Sequence, residues 1–523
     1  MNKLLNALKT ENNYTRTENG AIAYKSTMNA CLDAFGSLGA MRFSSDEDII
    51  RVFSKAFSED RALATKMLFY MRDIRGGQGA RKVFRVIIKW LAETAPQYVI
   101  NNLDNFLEYG RGDDVICLLE TSVKNHVVSW AYAHLKEDWI AYKEGKPCSL
   151  LAKWMPSENA SSKETREAAR AFIAGFKCTP KFYRKLLTTL RSYLKIVEQK
   201  MSAREWKNIE YGAVPAKAAI NYADAFVRHD EEGYVQYLRD VANGDAKVNA
   251  KSLFPVDIVH QVMEKGARAG MKDRILLDAM WKALPNYCEG HDETGICVVD
   301  TSGSMSGLPM EVAISLGMYC GDKCRGPFQG HFITFSSEPA LQAISGSDIV
   351  DKVYNLERSN WSMNTNLEKV FDLILRTGVR NHVSDEDMPK KLYIISDMQF
   401  DEARSDNSYW SYSYRPTSRT PFMQTMRKKY EAAGYTMPII VYWNVRQSDC
   451  GMFQTTFEGE QCCMVSGYSA SLFKSIIEGT TYEEVTKINE KGEKVTTLKE
   501  VVDPMTVMLT TLNGERYTKV WVG

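Results

Sequence analysis

A carboxylate followed by hydroxyls two and four residues later occurs at Asp300-Thr-Ser-Gly-Ser304. A short, apolar, β-branched run, Gly295-Ile-Cys-Val-Val-Asp300, leads into it, so the carboxylate stands where a buried strand ends and the chain turns. Hard divalent cations take oxygen ligands, and Mg²⁺ keeps several waters while accepting few protein oxygens. Ser302 and Ser304 supply neutral hydroxyls, with Asp300 holding them or a bound water. Two further oxygen donors complete the set. Thr365 lies in Asn364-Thr-Asn366 ahead of a helix, and Asp397 ends the run Lys391-Leu-Tyr-Ile-Ile-Ser-Asp397. A cation held by Asp300, Ser302, Ser304, Thr365 and Asp397, with carboxylates partly one layer back, is incompletely neutralised. It leaves a position open to an acidic side chain or another anion from a partner. Such a site binds and supplies no obvious general base. The structural alternative is an N-cap role for Asp300 or Ser302, with Gly303 serving the turn.

The elements that must hold these groups follow from patterning. From about residue 291 onward, strands at 295–300, 331–335, 391–397 and 437–443 alternate with helices at about 308–324, 366–376, 420–433 and 469–478, and Cys462–Ser466 reads as an edge strand. Alternation with apolar strands predicts an α/β, doubly wound, Rossmann-like parallel sheet. Ligands bind beyond the carboxyl ends of such strands, where Asp300 and Asp397 both stand. Over about 291–480 the D-x-S-x-S, Thr, Asp pattern resembles the metal-ion-dependent adhesion site (MIDAS) of von Willebrand factor A domains, which implies a divalent cation, Mg²⁺ above all.

Residues 25–285 instead show a period near 3.6, as in Ile49-Ile50-Val52-Phe53-Phe57 and Val83-Phe84-Val86-Ile87-Trp90-Leu91. Ten or more amphipathic helices without strands predict an all-α, HEAT-like stack, with 143–162 as an internal loop. The formal net charge of +1 hides a division: residues 1–290 carry 43 Lys+Arg against 35 Asp+Glu, and residues 291–523 carry 23 against 30. Much of the excess lies in two segments. Arg72, Arg75, Arg81, Lys82 and Arg85 flank the glycine turn Gly76-Gly-Gln-Gly79, where a helix start and guanidiniums together suit phosphate. Lys181, Arg184, Lys185 and Arg191 lie on a second helix, with Tyr183 and Tyr193 interleaved as surfaces for base stacking. A charged, solvated helix face is the commoner explanation of either segment alone, and two such faces on one helical stack beside a metal-site domain shift the balance toward binding.

A helical-repeat body followed by an A domain resembles the TROVE/Ro ribonucleoprotein family, as a prokaryotic or phage branch of it. The residues that carry the likeness are Gly79-Ala-Arg-Lys-Val, Asp300-Thr-Ser-Gly-Ser-Met305, Asn364-Thr-Asn-Leu and Ser396-Asp-Met-Gln-Phe400. The resemblance implies a cytoplasmic, non-enzymatic RNA-binding protein: a ring of helical repeats that holds small structured RNA outside and single-stranded ends in its hole. The domains expected are 1–290, helical; 291–480, the A domain; and 481–523, a tail packing back on the helical module. The loop 405–420 departs from the family. Its Tyr409, Trp410, Tyr412 and Tyr414 suit a rigid contact surface for a partner, or the loop is a disordered insertion.

Other classes fit less well. The start carries no run long enough for a signal-peptide core, and no stretch approaches the roughly 20 apolar residues of a membrane span. The 11 cysteines are scattered without zinc-ribbon spacing and read as free thiols in a reducing compartment. A dehalogenase-type phosphatase needs an Asp where Ser302 stands, and neither a phosphate-binding P-loop nor a G-x-S-x-G elbow occurs. His260 and His331 read as core or capping residues. Two alternatives stay open: a metal-dependent protein-interaction module with no RNA role, and a metal-dependent hydrolase.

Overall fold

The computed structural model describes residues 12–291, 294–335, 338–357, 366–401, 422–447, 452–488 and 494–523. They form two compact units: 1–59, 254–269 and 285–512 make the first, and 60–253, 270–284 and 513–523 the second.

In the first unit, β1 (Tyr14–Arg16) and β2 (Ile22–Tyr24) form an antiparallel hairpin. A six-stranded sheet follows from β3 (Gly295–Asp300), β4 (His331–Phe335), β5 (Leu341–Ala343), β6 (Lys391–Ser396), β7 (Ile439–Asn444) and β8 (Cys462–Ser466). Its order is β5-β4-β3-β6-β7-β8. All neighbours are parallel except β5, an antiparallel edge strand that the alternating pattern did not reveal. Every residue of β3, β6, β7 and β8 is buried, which is why these strands read as continuous apolar runs. Helix Leu308–Lys323 lies so close to β3 that a Cβ on Gly317 would sit 2.5 Å from Val299 Cγ2. Trp443, Tyr393 and Phe473 meet on the same sheet, with ring centroids 4.9 and 5.1 Å from Phe473. Burying each such side chain contributes roughly 1.5–3 kcal/mol.

The units do not follow the expected division at residue 290. The N-terminal hairpin and the helices Ala30–Ser37 and Asp46–Glu59 belong with the sheet, as does helix Pro255–Lys265. Ser466 at the end of β8 donates to the Phe35 carbonyl (2.7 Å) and accepts from the Gly39 amide (3.1 Å). Helical periodicity identifies an apolar stripe but not the surface that will cover it, so it does not reveal that these helices group with the sheet. The expected tail is divided as well. β9 (Thr481–Ile488) and β10 (Lys494–Val501) form a hairpin, Lys391 Nζ lies 2.8 Å from Glu500, and helix Pro504–Asn513 buries Val507, Met508 and Leu512. Only 513–523 joins the helical unit. Cys288 and Cys324 are joined by a disulfide, which corrects the reading of all cysteines as free; Cys320 is a buried free thiol.

The second unit is helical: Arg61–Arg72, Arg81–Thr94, Lys124–Lys143, Lys163–Gly175, Pro180–Tyr193, Ala216–His229, Glu231–Asn243 and Met271–Lys282 are its longer helices. Asp60 and Thr179 cap two of them through the amides of Leu63 and Phe182. Phe69 packs against Phe84, Phe106 and Tyr109 at its core. No described helix is long and apolar enough to cross a membrane.

Candidate functional site

β3 and β6 are adjacent, and the sheet grows away from them in opposite directions, through β4 on one side and β7 on the other. Their carboxyl ends therefore border the crevice where open α/β sheets bind ligands. Asp300 ends β3 fully buried. Its Oδ1 accepts the Ser302 amide at 2.9 Å and its Oδ2 accepts the Ser396 hydroxyl. Ser302 and Ser304 bring their hydroxyl oxygens to 3.0 Å of each other, the first buried and the second exposed. Asp397, buried just past β6, accepts from the Ser304 side chain and from the Gln399 amide at 3.2 Å. Asp300, Ser302, Ser304 and Asp397 are thus brought together from two strand ends. Thr365, like Asn364, lies outside the described residues, as do Tyr409, Trp410, Tyr412 and Tyr414.

Burial pushes the Asp300 carboxyl up to about 7, and the nearby Asp397 charge adds to the rise. Asp397 is also raised, mainly by burial, against the opposing hydrogen bonds from Ser304 and Gln399 and the attraction of Arg446. Two carboxylates confined near each other away from water favour a positive charge between or beside them. The donor set is all oxygen and opens to solvent at Ser304, which fits a hard divalent cation that keeps waters. Among the described residues no three His, Cys, Asp or Glu side chains cluster as ligands, so hydroxyls and waters would have to complete the shell.

Three contributors were not legible as site residues. Arg446, two residues past β7, is exposed and donates to the Ser304 carbonyl, putting a fixed cation at the rim. Ser396 ties Asp300 to the turn after β6 by accepting the Met398 amide (3.0 Å) while donating to Asp300. Gln399 is buried and accepts the Glu18 amide at 2.8 Å; Asn19 donates to its carbonyl and Thr17 to that of Phe400. The β1–β2 hairpin therefore braces the Asp397 turn, in which Met398 takes a left-handed φ of 66°. A non-glycine residue held there signals a turn over-determined by its surroundings.

The residues expected to bind RNA separate into two groups. Arg72 is buried and bonded to Asp114 at 2.6 Å, so it is a core ion pair and cannot reach a phosphate outside. Arg191 donates to the Ala152 carbonyl (2.9 Å), the Met155 carbonyl (2.6 Å) and Ser157 Oγ (2.9 Å), which makes it a structural tie. Tyr183 is fully buried, its hydroxyl on the Pro156 carbonyl, and offers no stacking face. Arg81 and Arg85 are partly exposed but engage Asp113 and Asp114. Arg75, Lys82, Lys181, Arg184 and Lys185 are exposed, with Arg184 paired to Glu158. Spacing alone could not separate these groups, because Arg72 and Arg191 find their partners 34 to 42 positions away.

Residues 294–512 match a family model described as a domain of unknown function (DUF7788). Residues 17–132 and 148–287 match a second, also a domain of unknown function (DUF2828). The chain is also similar to Uncharacterized protein L728 of Acanthamoeba polyphaga mimivirus. That likeness is 29% identity over 516 residues, covering 91% of this chain and 86% of that protein. The second match begins inside the N-terminal hairpin, so the sequence similarity divides the chain near residue 290 while the compact units do not.

Proposed function

We propose that this protein is a cytoplasmic, non-enzymatic RNA-binding scaffold of the Ro type, with a HEAT-like helical body and a von Willebrand factor A-like domain. In this reading a divalent cation, Mg²⁺ by the oxygen character of its donors, is held at the MIDAS-like turn and receives an acidic group from a partner. The observation that carries it is the convergence of Asp300, Asp397, Ser302 and Ser304 at the divergence point of the sheet. When bound, the cation supplies an electrophilic position for a partner's carboxylate. The chain's own part is to hold Asp300 through Ser396, align the two hydroxyls, and brace Asp397 through Gln399 and the N-terminal hairpin. RNA binding by the helical unit is supported by the exposed Arg75, Lys82, Lys181, Arg184 and Lys185.

Thermal unfolding with Mg²⁺ or Mn²⁺ against chelator tests the cation half. Stabilisation should appear in the native protein and vanish in Asp300→Ala and Asp397→Ala; an equal response in these variants defeats it. The RNA half is tested by whether the purified protein carries nucleic acid that a high-salt wash removes. A second reading, a protein-interaction module without RNA, is favoured by the internal use of Arg72 and Arg191. Capture of a partner that is lost in Asp300→Ala and insensitive to RNase would decide for it.

A further inference from the structure

Between helix Arg81–Thr94 and the 3₁₀ segment Gly112–Leu118, four guanidiniums face two carboxylates. Asp114 is fully buried and accepts Arg72 Nε at 2.6 Å, Arg85 Nε at 2.8 Å and the Arg111 amide at 3.1 Å. Asp113 takes Arg81, both Arg111 nitrogens Nε and Nη2 at 3.1 Å, and Arg85 Nη2 at 3.3 Å. Four guanidiniums against two carboxylates leave two positive charges over. Lys89 lies within electrostatic range of the same corner, alongside Arg85.

Part of the surplus is held away from water, and the rest faces it. Arg81 Nε is buried without a hydrogen-bond acceptor, its nearest carboxylate oxygen, on Asp114, lying 3.6 Å away. The Nη1 groups of Arg81, Arg85 and Arg111 have no acceptor among the described residues and are not buried, so they face outward. Burial and the like charges of Arg85 and Arg111 both act against the Arg81 cation. Arg111 is fixed in plane by Trp154, its guanidinium carbon 3.9 Å from the ring centroid, with Lys153 5.3 Å from the same ring. Arg81, Arg85 and Arg111 are 42%, 27% and 35% exposed, so their Nη1 donors are reachable from outside.

We propose that Arg81, Arg85 and Arg111 form a binding site for a dianionic phosphomonoester. Two negative charges would balance the two in excess, and planar guanidinium forks match phosphate oxygens in pairs. An internal phosphodiester carries one charge and leaves the cluster unbalanced. A terminal phosphate, on a mononucleotide or at the 5′ end of an RNA, is the better fit. The choice of RNA as the source rests on the RNA-binding reading above; the phosphate site itself does not.

The test is calorimetric titration of the full-length protein with inorganic phosphate, against chloride at equal ionic strength. Saturable binding that weakens about tenfold in Arg81→Gln and in Arg111→Gln is expected, each removing one charge-assisted fork. Binding no different from chloride, or binding unchanged in both variants, overturns the site. Should either variant misfold, Arg111→Lys keeps the charge and loses the fork, and the same weakening is expected. The native protein is then titrated with a 5′-phosphorylated oligoribonucleotide, its 5′-hydroxyl twin, and a mononucleoside 5′-monophosphate. A preference of about tenfold for the phosphorylated oligonucleotide identifies an RNA end. Equal affinity for both oligonucleotides overturns the terminal-phosphate assignment while leaving RNA binding intact. Binding of phosphate and mononucleotide without either oligonucleotide upholds the site and defeats the RNA reading.

Discussion

Replacing Asp73 by alanine should loosen the helical unit by about 2–4 kcal/mol. Asp73 is fully buried at the end of helix Arg61–Arg72 and serves as a common acceptor. Its two oxygens take the Arg516 guanidinium (Nη2 at 2.7 Å, with Nε on the other oxygen), the Tyr517 hydroxyl at 3.0 Å and the Arg75 amide at 2.9 Å. Tyr109 closes the clasp by donating to the Arg516 carbonyl. Removing the carboxylate strands a buried phenol and a guanidinium, for which the loss of a fully buried ion-pair partner costs about 3–5 kcal/mol. Arg516 is 33% exposed and recovers part of that from water, which lowers the figure. A chain of two units does not promise a single unfolding transition, so the loss is best read locally by hydrogen exchange. Amides of Arg61–Arg72 and of 513–523 should exchange about 30- to 700-fold faster, at roughly 1.4 kcal/mol per factor of ten. In a double-mutant cycle with Arg516→Ala, coupling of about 1.5–3 kcal/mol is expected. Additive single effects, or protection unchanged in Asp73→Ala, would refute the clasp.

Further outcomes follow from the same geometry. Arg446→Ala removes the fixed cation at the Ser304 carbonyl and should tighten Mg²⁺ binding severalfold, read as a larger thermal shift at low Mg²⁺; weaker binding would instead make Arg446 a support of the site. Gly39→Ala places a Cβ 2.3 Å from the Ser466 carbonyl oxygen, so it should destabilise the sheet unit by about 2 kcal/mol or more, checked by thermal unfolding. Lys185→Glu should weaken RNA binding and flatten its salt dependence in a fluorescence-anisotropy titration, by about 0.7 in log–log slope for each single-strand phosphate the protein no longer neutralises. Arg72→Gln should act through stability instead, shifting the unfolding temperature, because its guanidinium is committed to a buried carboxylate.

The strands β3, β4, β6, β7 and β8, the acidic tips of two of them and the helix Leu308–Lys323 were legible because their signals are local. A run such as Ile296–Val299 reports burial on both faces through its own composition, and an Asp at its end reports where the chain leaves the sheet. The hydroxyl spacing after Asp300 is local too, and the fold brought Ser302 and Ser304 to hydrogen-bond distance. What lay beyond reading was partnership. The β5 edge strand and the β1–β2 hairpin are three residues each, too short to show a period. Apolar burial is non-directional, so nothing in the stripe of Ala30–Ser37 says that it covers β8. An Arg in a basic segment looks the same whether it faces water or a buried Asp 42 residues on, as Arg72 does with Asp114. Only packing decides which cations are consumed, and so which are left to act. Here it buried Arg72, tied Arg191 to internal oxygens, joined Cys288 to Cys324, and left Arg81, Arg85 and Arg111 with more positive charge than their two acids can balance.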